Sequence, residues 1–353
     1  MRASFPRSIL CILVSFSLSI LSAQDPERMA KLLERFPKAD TNEDGQLSKD
    51  EFKILKELIV SQKSNKPAKA GKIEPTFPDI RYGKHERNVF DIWMPGTAES
   101  KSELPFPVLV FFHGGGFVGG SKDSFSPKMY LDAGIACVSA NYRFTDGKES
   151  LSPTPMEDGA KVIQTLRQNA AEWNLDGGRL AVSGSSAGAV IAMWIAYHDD
   201  LARADAKDPV SRQSTRVTCA VPINGPTNLQ PHWIVKNIGG SKQVHSSFQK
   251  MFGVAADSNL SAEINDRIKL SSPREFASED DPPSLLLYNG PLGELPLPGD
   301  TKQGRIIHHP HFGKSLKSVF DSLGVECEFR HSFDPRENPV IINYLRNKFS
   351  MID

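Results

Sequence analysis

The sequence lacks an excess of charge of either sign. Its 353 residues carry 42 Lys and Arg and 42 Asp and Glu, so the formal net charge at pH 7 is zero. It also lacks a basic cluster with interleaved aromatic residues, the usual footprint of a nucleic-acid-binding surface. The composition therefore argues against a nucleic-acid partner and favours a neutral ligand such as an ester. The length suits one large globular domain with a small appendage.

Cysteine is scarce, with four in the whole chain. Cys11 falls in the apolar N-terminal stretch, which leaves Cys137, Cys219 and Cys327, an odd number. Each of these three lies in an apolar run typical of a strand. We interpret them as buried thiols and not as a disulfide framework, although a single pair stays open as an alternative.

Long hydrophobic runs are also missing. The apolar stretch 8–22 follows two positive charges, Arg2 and Arg7, and is too short to span a bilayer securely. It ends at the small residue Ala23. This pattern predicts a cleaved secretory signal over 1–23, a secreted or periplasmic protein, and no stable membrane span after cleavage. An uncleaved membrane anchor is the alternative.

An acidic segment at 40–51 matches the calcium loop of an EF-hand. Its ligand positions are filled by Asp40, Asn42, Asp44, Gln46 and Glu51. Gly45 provides the sharp turn, and apolar residues at helical spacing flank the loop. The sequence predicts a small α-helical EF-hand module over 24–60 with calcium as a structural cofactor, followed by a linker over 61–75. A solvated acidic turn between two helices is the alternative.

A serine with glycine two positions away on each side is the first candidate catalytic residue. Ser186 stands between Gly184 and Gly188, after a strand-like apolar run and before a helix-like one. This is the pattern of a nucleophile elbow, in which a tight strand-to-helix turn exposes the serine. Upstream, a buried-strand run ends in the His-Gly-Gly-Gly sequence at 113–116, whose backbone N–H groups suit an oxyanion.

Strand and helix patterns alternate between 76 and 353. Strands are predicted at 80–82, 89–93, 108–113, 135–142, 179–183, 217–223, 284–289 and 325–329, and helices at 156–173, 187–198, 314–323 and 339–349. This order predicts the α/β-hydrolase fold, a mainly parallel sheet with helices on both faces. Residues 228–282 lack a clear repeat and form an insertion, either a lid over the elbow or a surface excursion with its own small core.

Several segments together resemble a known family. They are 81–84, 88–95, 112–117, 140–143, 155–158 and 183–188. These segments are similar to the feruloyl and acetyl-xylan esterase branch of the hormone-sensitive-lipase-like hydrolases, over roughly residues 76–350. The resemblance implies an α/β-hydrolase that cleaves short acyl or aryl esters, often on plant polysaccharides. It also implies Ser186 as the nucleophile, the N–H groups of Gly115, Gly116 and Ala187 as the oxyanion hole, and a structural role for His113.

In this family the nucleophile serine acts with an acid and a histidine, and in this chain both depart from the family pattern. The acid is expected after the strand at 284–289, where Glu294 is the first candidate and Asp300 the second. The family histidine would fall where this chain has Glu337 or Asn338, and neither suits a general base. Two substitutes remain. We predict His309, in the His-His-Pro-His cluster at 308–311, with His331 as the alternative.

Two functional hypotheses follow. The first is an exported serine esterase for short acyl or feruloyl esters, including esters on polysaccharide, with a calcium-binding EF-hand and no cofactor for catalysis. The second is a degenerate hydrolase fold that binds carbohydrate or a protein partner, because the usual Gly-His loop is missing. A metal site in the histidine cluster is disfavoured, because no further ligand lies at a recognised spacing.

Overall fold

The computed structural model describes residues 37–42, 44–45, 48, 50–51, 54, 73–96, 104–240, 245–255, 259–334 and 339–351. The chain divides into two compact units, Met1–Lys72 and Ile73–Asp353. The predicted signal 1–23, residues 61–72 of the predicted linker, and Glu337 and Asn338 lie outside the described residues. Of the first unit, the structure describes the short 3-10 helix Pro37–Ala39 and most of the acidic loop that follows it.

The second unit is built on one sheet of eight strands in the described residues. The strands are β1 (Phe77–Arg81), β2 (Val89–Trp93), β3 (Phe106–Phe112), β4 (Ala136–Ala140), β5 (Leu175–Ser185), β6 (Cys219–Ile223), β7 (Ser284–Leu287) and β8 (Cys327–Arg330). Their order across the sheet is β1-β2-β4-β3-β5-β6-β7-β8. β1 and β2 pair antiparallel, β2 is antiparallel to β4, and the other neighbours are parallel. The predicted fold class is confirmed.

Helices cover both faces of this sheet. They are α1 (Lys128–Leu131), α2 (Thr154–Gln168), α3 (Ala187–Tyr197), α4 (Pro231–Asn237), α5 (Phe248–Phe252), α6 (Ala262–Leu270), α7 (Gln303–Ile307), α8 (His311–Leu323) and α9 (Val340–Lys348). Alternate strand residues face opposite sides, so Val108 and Val110 pack with α2, α3 and α8, whereas Leu109 packs with α9. Among the described residues, none of the helices is long and apolar enough to cross a membrane.

One helix is shorter than the sequence-based expectation. α2 was predicted to extend to Trp173, but it ends at Gln168 and the chain turns at once into β5, which begins at Leu175. Trp173 is nevertheless buried, against Phe90 of β2, which explains its apolar periodicity. Cys137, Cys219 and Cys327 are free and buried, as predicted.

A buried carboxylate ties the antiparallel edge of the sheet to α2. Asp158 on α2 accepts hydrogen bonds from the Nδ2 group of Asn88 at 3.0 Å and from the backbone N–H of Arg143 at 2.8 Å. Its side chain also pairs with the guanidinium of Arg143 at 2.6 Å. Tyr142, the residue before Arg143, donates its hydroxyl hydrogen to the carbonyl of His113 at 2.8 Å. The Asp158 network therefore supports the segment on which the glycine loop rests.

We expect Asp158→Ala to destabilise the protein by about 2 to 4 kcal/mol, because it leaves Asn88 and the half-buried Arg143 without their acceptor. Urea unfolding monitored by tryptophan fluorescence measures the change. Asp132→Asn is the matched control, since Asp132 pairs with Lys128 on an exposed helix surface and should cost less than about 0.5 kcal/mol. Equal losses for both variants would contradict the role given to the network.

Candidate functional site

The nucleophile elbow forms at the carboxyl end of β5. Ser186 has φ 54° and ψ −116°, a conformation that is strained for a side chain with a Cβ. A Cβ on Gly188 would lie 1.9 Å from the carbonyl oxygen of Phe112, and one on Gly184 would lie 2.3 Å from the carbonyl oxygen of Gly188. Both positions therefore require glycine, and the turn holds Ser186 out above the sheet edge.

The imidazole of His308 meets this serine. The Oγ atom of Ser186 lies 2.8 Å from the Nε2 atom of His308, which occupies the C-cap position of α7. Burial lowers the pKa of His308, and the nearby His245 lowers it further. A hydrogen bond to the backbone carbonyl of Gly304 acts in the opposite direction. Because that carbonyl can only accept, Nδ1 carries the proton and Nε2 is free to accept from the serine hydroxyl.

The prediction of His309 as the partner of Ser186 has to be corrected to the neighbouring residue. His309 is 3% exposed, and its Nδ1 atom accepts a hydrogen bond from the backbone N–H of His311 at 3.1 Å. The two adjacent imidazoles therefore point into different surroundings, and only His308 contacts Ser186. The alternative candidate, His331, is exposed, and its Nδ1 atom lies 3.2 Å from the Oγ atom of Ser332.

The predicted acid is not brought to the histidine. Glu294 and Asp300 both lie in the loop after β7 and are exposed. Within the described residues neither carboxylate hydrogen bonds to His308, whose Nδ1 side is met by the carbonyl of Gly304. Among the described residues the arrangement is a Ser-His pair, with the carbonyl of Gly304 beside the imidazole. The loop between β7 and α8 carries the histidine here, which explains why no histidine is needed after β8.

The glycine loop that carries two of the predicted oxyanion donors lies close to Ser186. Gly115 and Gly116 have positive φ values of 123° and 61°, so the glycine loop bends back over the elbow. A Cβ on Gly114 would lie 3.5 Å from the Cβ of Ser186, which shows how closely the two segments approach. Within the described residues, the N–H groups of Gly115, Gly116 and Ala187 donate no hydrogen bond to the protein. Ala187 also begins α3, so its N–H lies at the positive end of the helix dipole.

His113 holds the glycine loop in place. Its Nε2 atom lies 3.2 Å from a guanidinium nitrogen of Arg87, and its Nδ1 atom lies 2.7 Å from the carbonyl oxygen of Gly114. Arg87 can only donate, so Nε2 accepts and Nδ1–H donates to the loop. Burial lowers the pKa of His113 to about 4, and the ring stacks on Tyr142. These contacts agree with the structural role that the resemblance implies.

An apolar pocket opens beside Ser186. Its wall includes Val190 on α3 together with Leu229, Ile234, Phe248, Met251 and Phe252. All but Val190 belong to the predicted insertion 228–282, which contributes α4 and α5 to this wall. The polar groups that face the pocket come from Ser186, His245 and Ser247. No motif or spacing in the sequence singles out His245 or Ser247.

The elbow, His308 and the glycine loop lie together, and comparison with known proteins identifies the family to which the chain belongs. The model of the BD-FAE family matches residues 90–290. The chain belongs to the BD-FAE family. The matched range includes the glycine loop and Ser186, and it ends before His308.

Curated relatives are esterases by name. Esterase LipI of Mycobacterium tuberculosis is 34% identical over 108 residues, which are 30% of this chain and 32% of that protein. Probable carboxylesterase 6 of Arabidopsis thaliana is 32% identical over 30% of this chain and 33% of its own length. Esterase LipQ of M. tuberculosis is 26% identical over 60% of this chain and 47% of its own length. The chain thus spans between a third and a half of these relatives.

Solved structures share the fold over most of the chain. A truncated carbohydrate esterase from gut microbiota has a TM-score of 0.60 at 19% identity, covering 80% of this chain and 99% of that one. An acetyl ester-xyloside bifunctional hydrolase from Caldicellulosiruptor lactoaceticus has a TM-score of 0.55 at 17% identity, covering 80% and 96%. The native Thermogutta terrifontis esterase Est2 gives 0.53 at 18% identity, covering 80% and 91%. At these low sequence identities, the structural similarity shows only that the fold is shared.

The acidic loop of the first unit is closed by its own hydrogen bonds. The carboxylate of Glu51 accepts from the N–H of Ser48 at 2.9 Å and from the hydroxyl and N–H of Thr41 at 2.8 and 2.9 Å. Hydrogen bonds from Ser48 first, and then from Thr41, lower its pKa to about 2. Asp40 accepts from the N–H of Gly45 at 2.8 Å. Predicted ligand Gln46 lies outside the described residues. In the part of the chain that is described, no three acidic, histidine or cysteine side chains are grouped closely enough to hold an ion.

Proposed function

We propose that this protein is a serine carboxylic-ester hydrolase that uses Ser186 as the nucleophile and His308 as the general base. The observation that carries the proposal is the 2.8 Å contact between Ser186 Oγ and His308 Nε2. That distance is within the range required for proton transfer from a hydroxyl to a base. Membership of the BD-FAE family and the esterase names of the relatives support the same activity.

The geometry suits a two-step acyl transfer. His308 takes the hydroxyl proton as Ser186 attacks the ester carbonyl, and the N–H groups of Gly115, Gly116 and Ala187 stabilise the tetrahedral oxyanion. His308 then gives the proton to the leaving alcohol, and water completes the second half-reaction in the same way. The carbonyl of Gly304 fixes the imidazole tautomer as an acid residue does, but as a neutral group it stabilises the imidazolium less than a carboxylate.

The pocket favours a short aliphatic acyl group. Phe248, Met251 and Phe252 on α5 bring apolar surface to the side of Ser186 where the acyl chain of the ester would lie. Burying those carbons there removes them from water at no cost in unsatisfied polar groups. The alcohol half then faces outward, where a polysaccharide fits. The printed names of two structural neighbours, a carbohydrate esterase and an acetyl ester-xyloside hydrolase, favour esters on carbohydrate.

The competing hypothesis is a degenerate binding protein. It depended on the missing Gly-His loop, because a serine without a base is inert. The contact with His308 supplies a base from a different loop and removes that reason. Three N–H groups beside Ser186 that have no partner among the described residues also favour catalysis over simple binding.

Export and calcium binding form the second part of the proposal. The charge and apolar pattern of residues 1–23 supports export through a cleaved signal, with the mature protein secreted or periplasmic. The oxygen-rich side chains of Asp40, Asn42, Asp44 and Glu51 match the hard ligands that calcium prefers. Asp40 and Glu51 would exchange their backbone N–H partners for the ion, so a modest affinity is expected.

Ser186→Ala and His308→Ala should each lower kcat for p-nitrophenyl acetate by at least about 10³-fold, because either change breaks the nucleophile-base pair. Initial rates of the purified full-length proteins measure this, after circular dichroism has shown that each variant is folded.

The matched controls are His331→Ala and Glu294→Gln. Both residues are exposed, and in the described structure neither hydrogen bonds to Ser186 or His308, so we expect kcat to change by less than about 3-fold. Equal activity of wild type and Ser186→Ala would refute the hydrolase. A large loss in Glu294→Gln would restore that residue as the acid.

The pH dependence tests His308 separately. Catalysis needs the neutral imidazole, and the pKa of His308 lies below the ordinary value of about 6.5. Activity should therefore persist below that pH and fall as protonation removes the acceptor for the serine proton. The acid limb of kcat/KM against pH should have its midpoint under about 6.5. A midpoint above that value would show that another group controls the limb.

Calcium should bind with a dissociation constant of about 10⁻⁴ to 10⁻³ M, as is usual for exported EF-hand sites. Isothermal titration of the chelator-treated protein measures it, and Glu51→Gln should weaken binding at least about 10-fold because it removes the bidentate ligand. Asp50→Asn is the control, with the same loss of charge at a position that supplies no ligand. Identical affinities for both variants would argue against the EF-hand.

A further inference from the structure

A second histidine faces the site from the predicted insertion. His245 precedes α5 and lines the pocket together with Ser186 and Gly116. Its Nδ1 atom lies 2.6 Å from the Oγ of Ser247 and 3.2 Å from the backbone nitrogen of Ser247. This His245–Ser247 pair has no part in the roles described so far.

The hydrogen bonds determine which nitrogen of His245 carries the proton. The backbone N–H of Ser247 can only donate, so Nδ1 must be the acceptor. In the neutral ring, Nε2 then bears the hydrogen. Burial lowers the pKa of His245, which favours this neutral form. Among the described residues, Nε2 has no hydrogen-bond partner in the protein, although the ring is partly buried.

The ring lies against the oxyanion side of the site. A Cβ placed on Gly116 would be 3.1 Å from the Cε1 atom of His245 and 3.3 Å from the Oγ of Ser247. Cε1 is bonded to both ring nitrogens, so Nε2 lies one bond beyond the ring atom that meets Gly116. The ring is also near enough to His308 to influence its charge. An N–H donor in a largely apolar pocket, on a ring that is near both the glycine loop and the base, has a substrate oxygen as its natural partner.

We infer that the Nε2–H group of His245 is an additional side-chain donor to the carbonyl oxygen of the ester, acting beside the N–H of Gly116. The inference rests on the proposed hydrolase activity and adds a catalytic residue to it. Negative charge grows on the carbonyl oxygen as Ser186 attacks, so a donor aimed there binds the transition state more strongly than the substrate. The Ser247 hydroxyl and N–H position the ring by holding Nδ1.

The test compares three replacements of one side chain. The amide nitrogen of glutamine can reach the place of Nε2, whereas that of asparagine matches Nδ1 and alanine offers no donor. For p-nitrophenyl acetate, His245→Ala and His245→Asn should lower kcat by about 10-fold to 100-fold with KM changed less than about 3-fold. His245→Gln should recover at least about a third of the wild-type kcat. Titration of Ser186 with a p-nitrophenyl phosphonate corrects every rate for the fraction of folded protein.

A second readout separates this role from a purely structural one. Phenylboronic acid forms a tetrahedral adduct with an active-site serine, and its affinity should fall in His245→Ala and return in His245→Gln. Unchanged kcat in His245→Ala would overturn the inference, as would glutamine performing no better than asparagine. A rise in KM with constant kcat would assign His245 to ground-state binding and would also overturn it. Inactive wild-type protein would instead refute the hydrolase itself.

Discussion

The close approach of β3 and β5 at their carboxyl ends is the constraint on which the site depends. Phe112 pairs in register with Gly184, and the carbonyl of Phe112 fills the space where a side chain on Gly188 would be. This contact is possible only with glycine at the elbow, and it brings the chain leaving β3 against the chain leaving β5. The oxyanion donors and the nucleophile therefore come together because two parallel strands end side by side.

The general base comes from an unusual segment of the chain. His308 ends the short helix α7, within the segment that joins β7 to α8, and a backbone carbonyl from the same helix orients its ring. One loop thus supplies both the histidine and the group that fixes its tautomer. Among the described residues no carboxylate hydrogen bonds to His308, and Glu294 lies exposed. The cost is a weaker stabilisation of the imidazolium, since a carbonyl has no full charge.

The insertion between β6 and β7 gives the site its walls. α4 and α5 bring Ile234, Phe248 and Met251 to the pocket beside Ser186, and the chain before α5 brings His245 to the glycine loop. Its periodicity was too weak for prediction, because its helices α4, α5 and α6 have only seven, five and nine residues. The sequence pattern predicted the strands well for the opposite reason, since a buried parallel strand is a continuous apolar run.

The sequence by itself determined the fold, the position of Ser186 and the identity of the glycine loop. These features depend on local requirements, namely apolar periodicity and turns that only glycine can make, and both can be seen in a single segment. The choice of His308 over His309 was decided only by the tertiary structure. The two residues are chemically identical neighbours, and only the packing of α7 and α8 buries one ring and turns the other toward Ser186. The exposure of Glu294 and the place of the His245–Ser247 pair in the site were also decided only by the tertiary structure. Contacts between distant segments leave no periodic pattern in the chain.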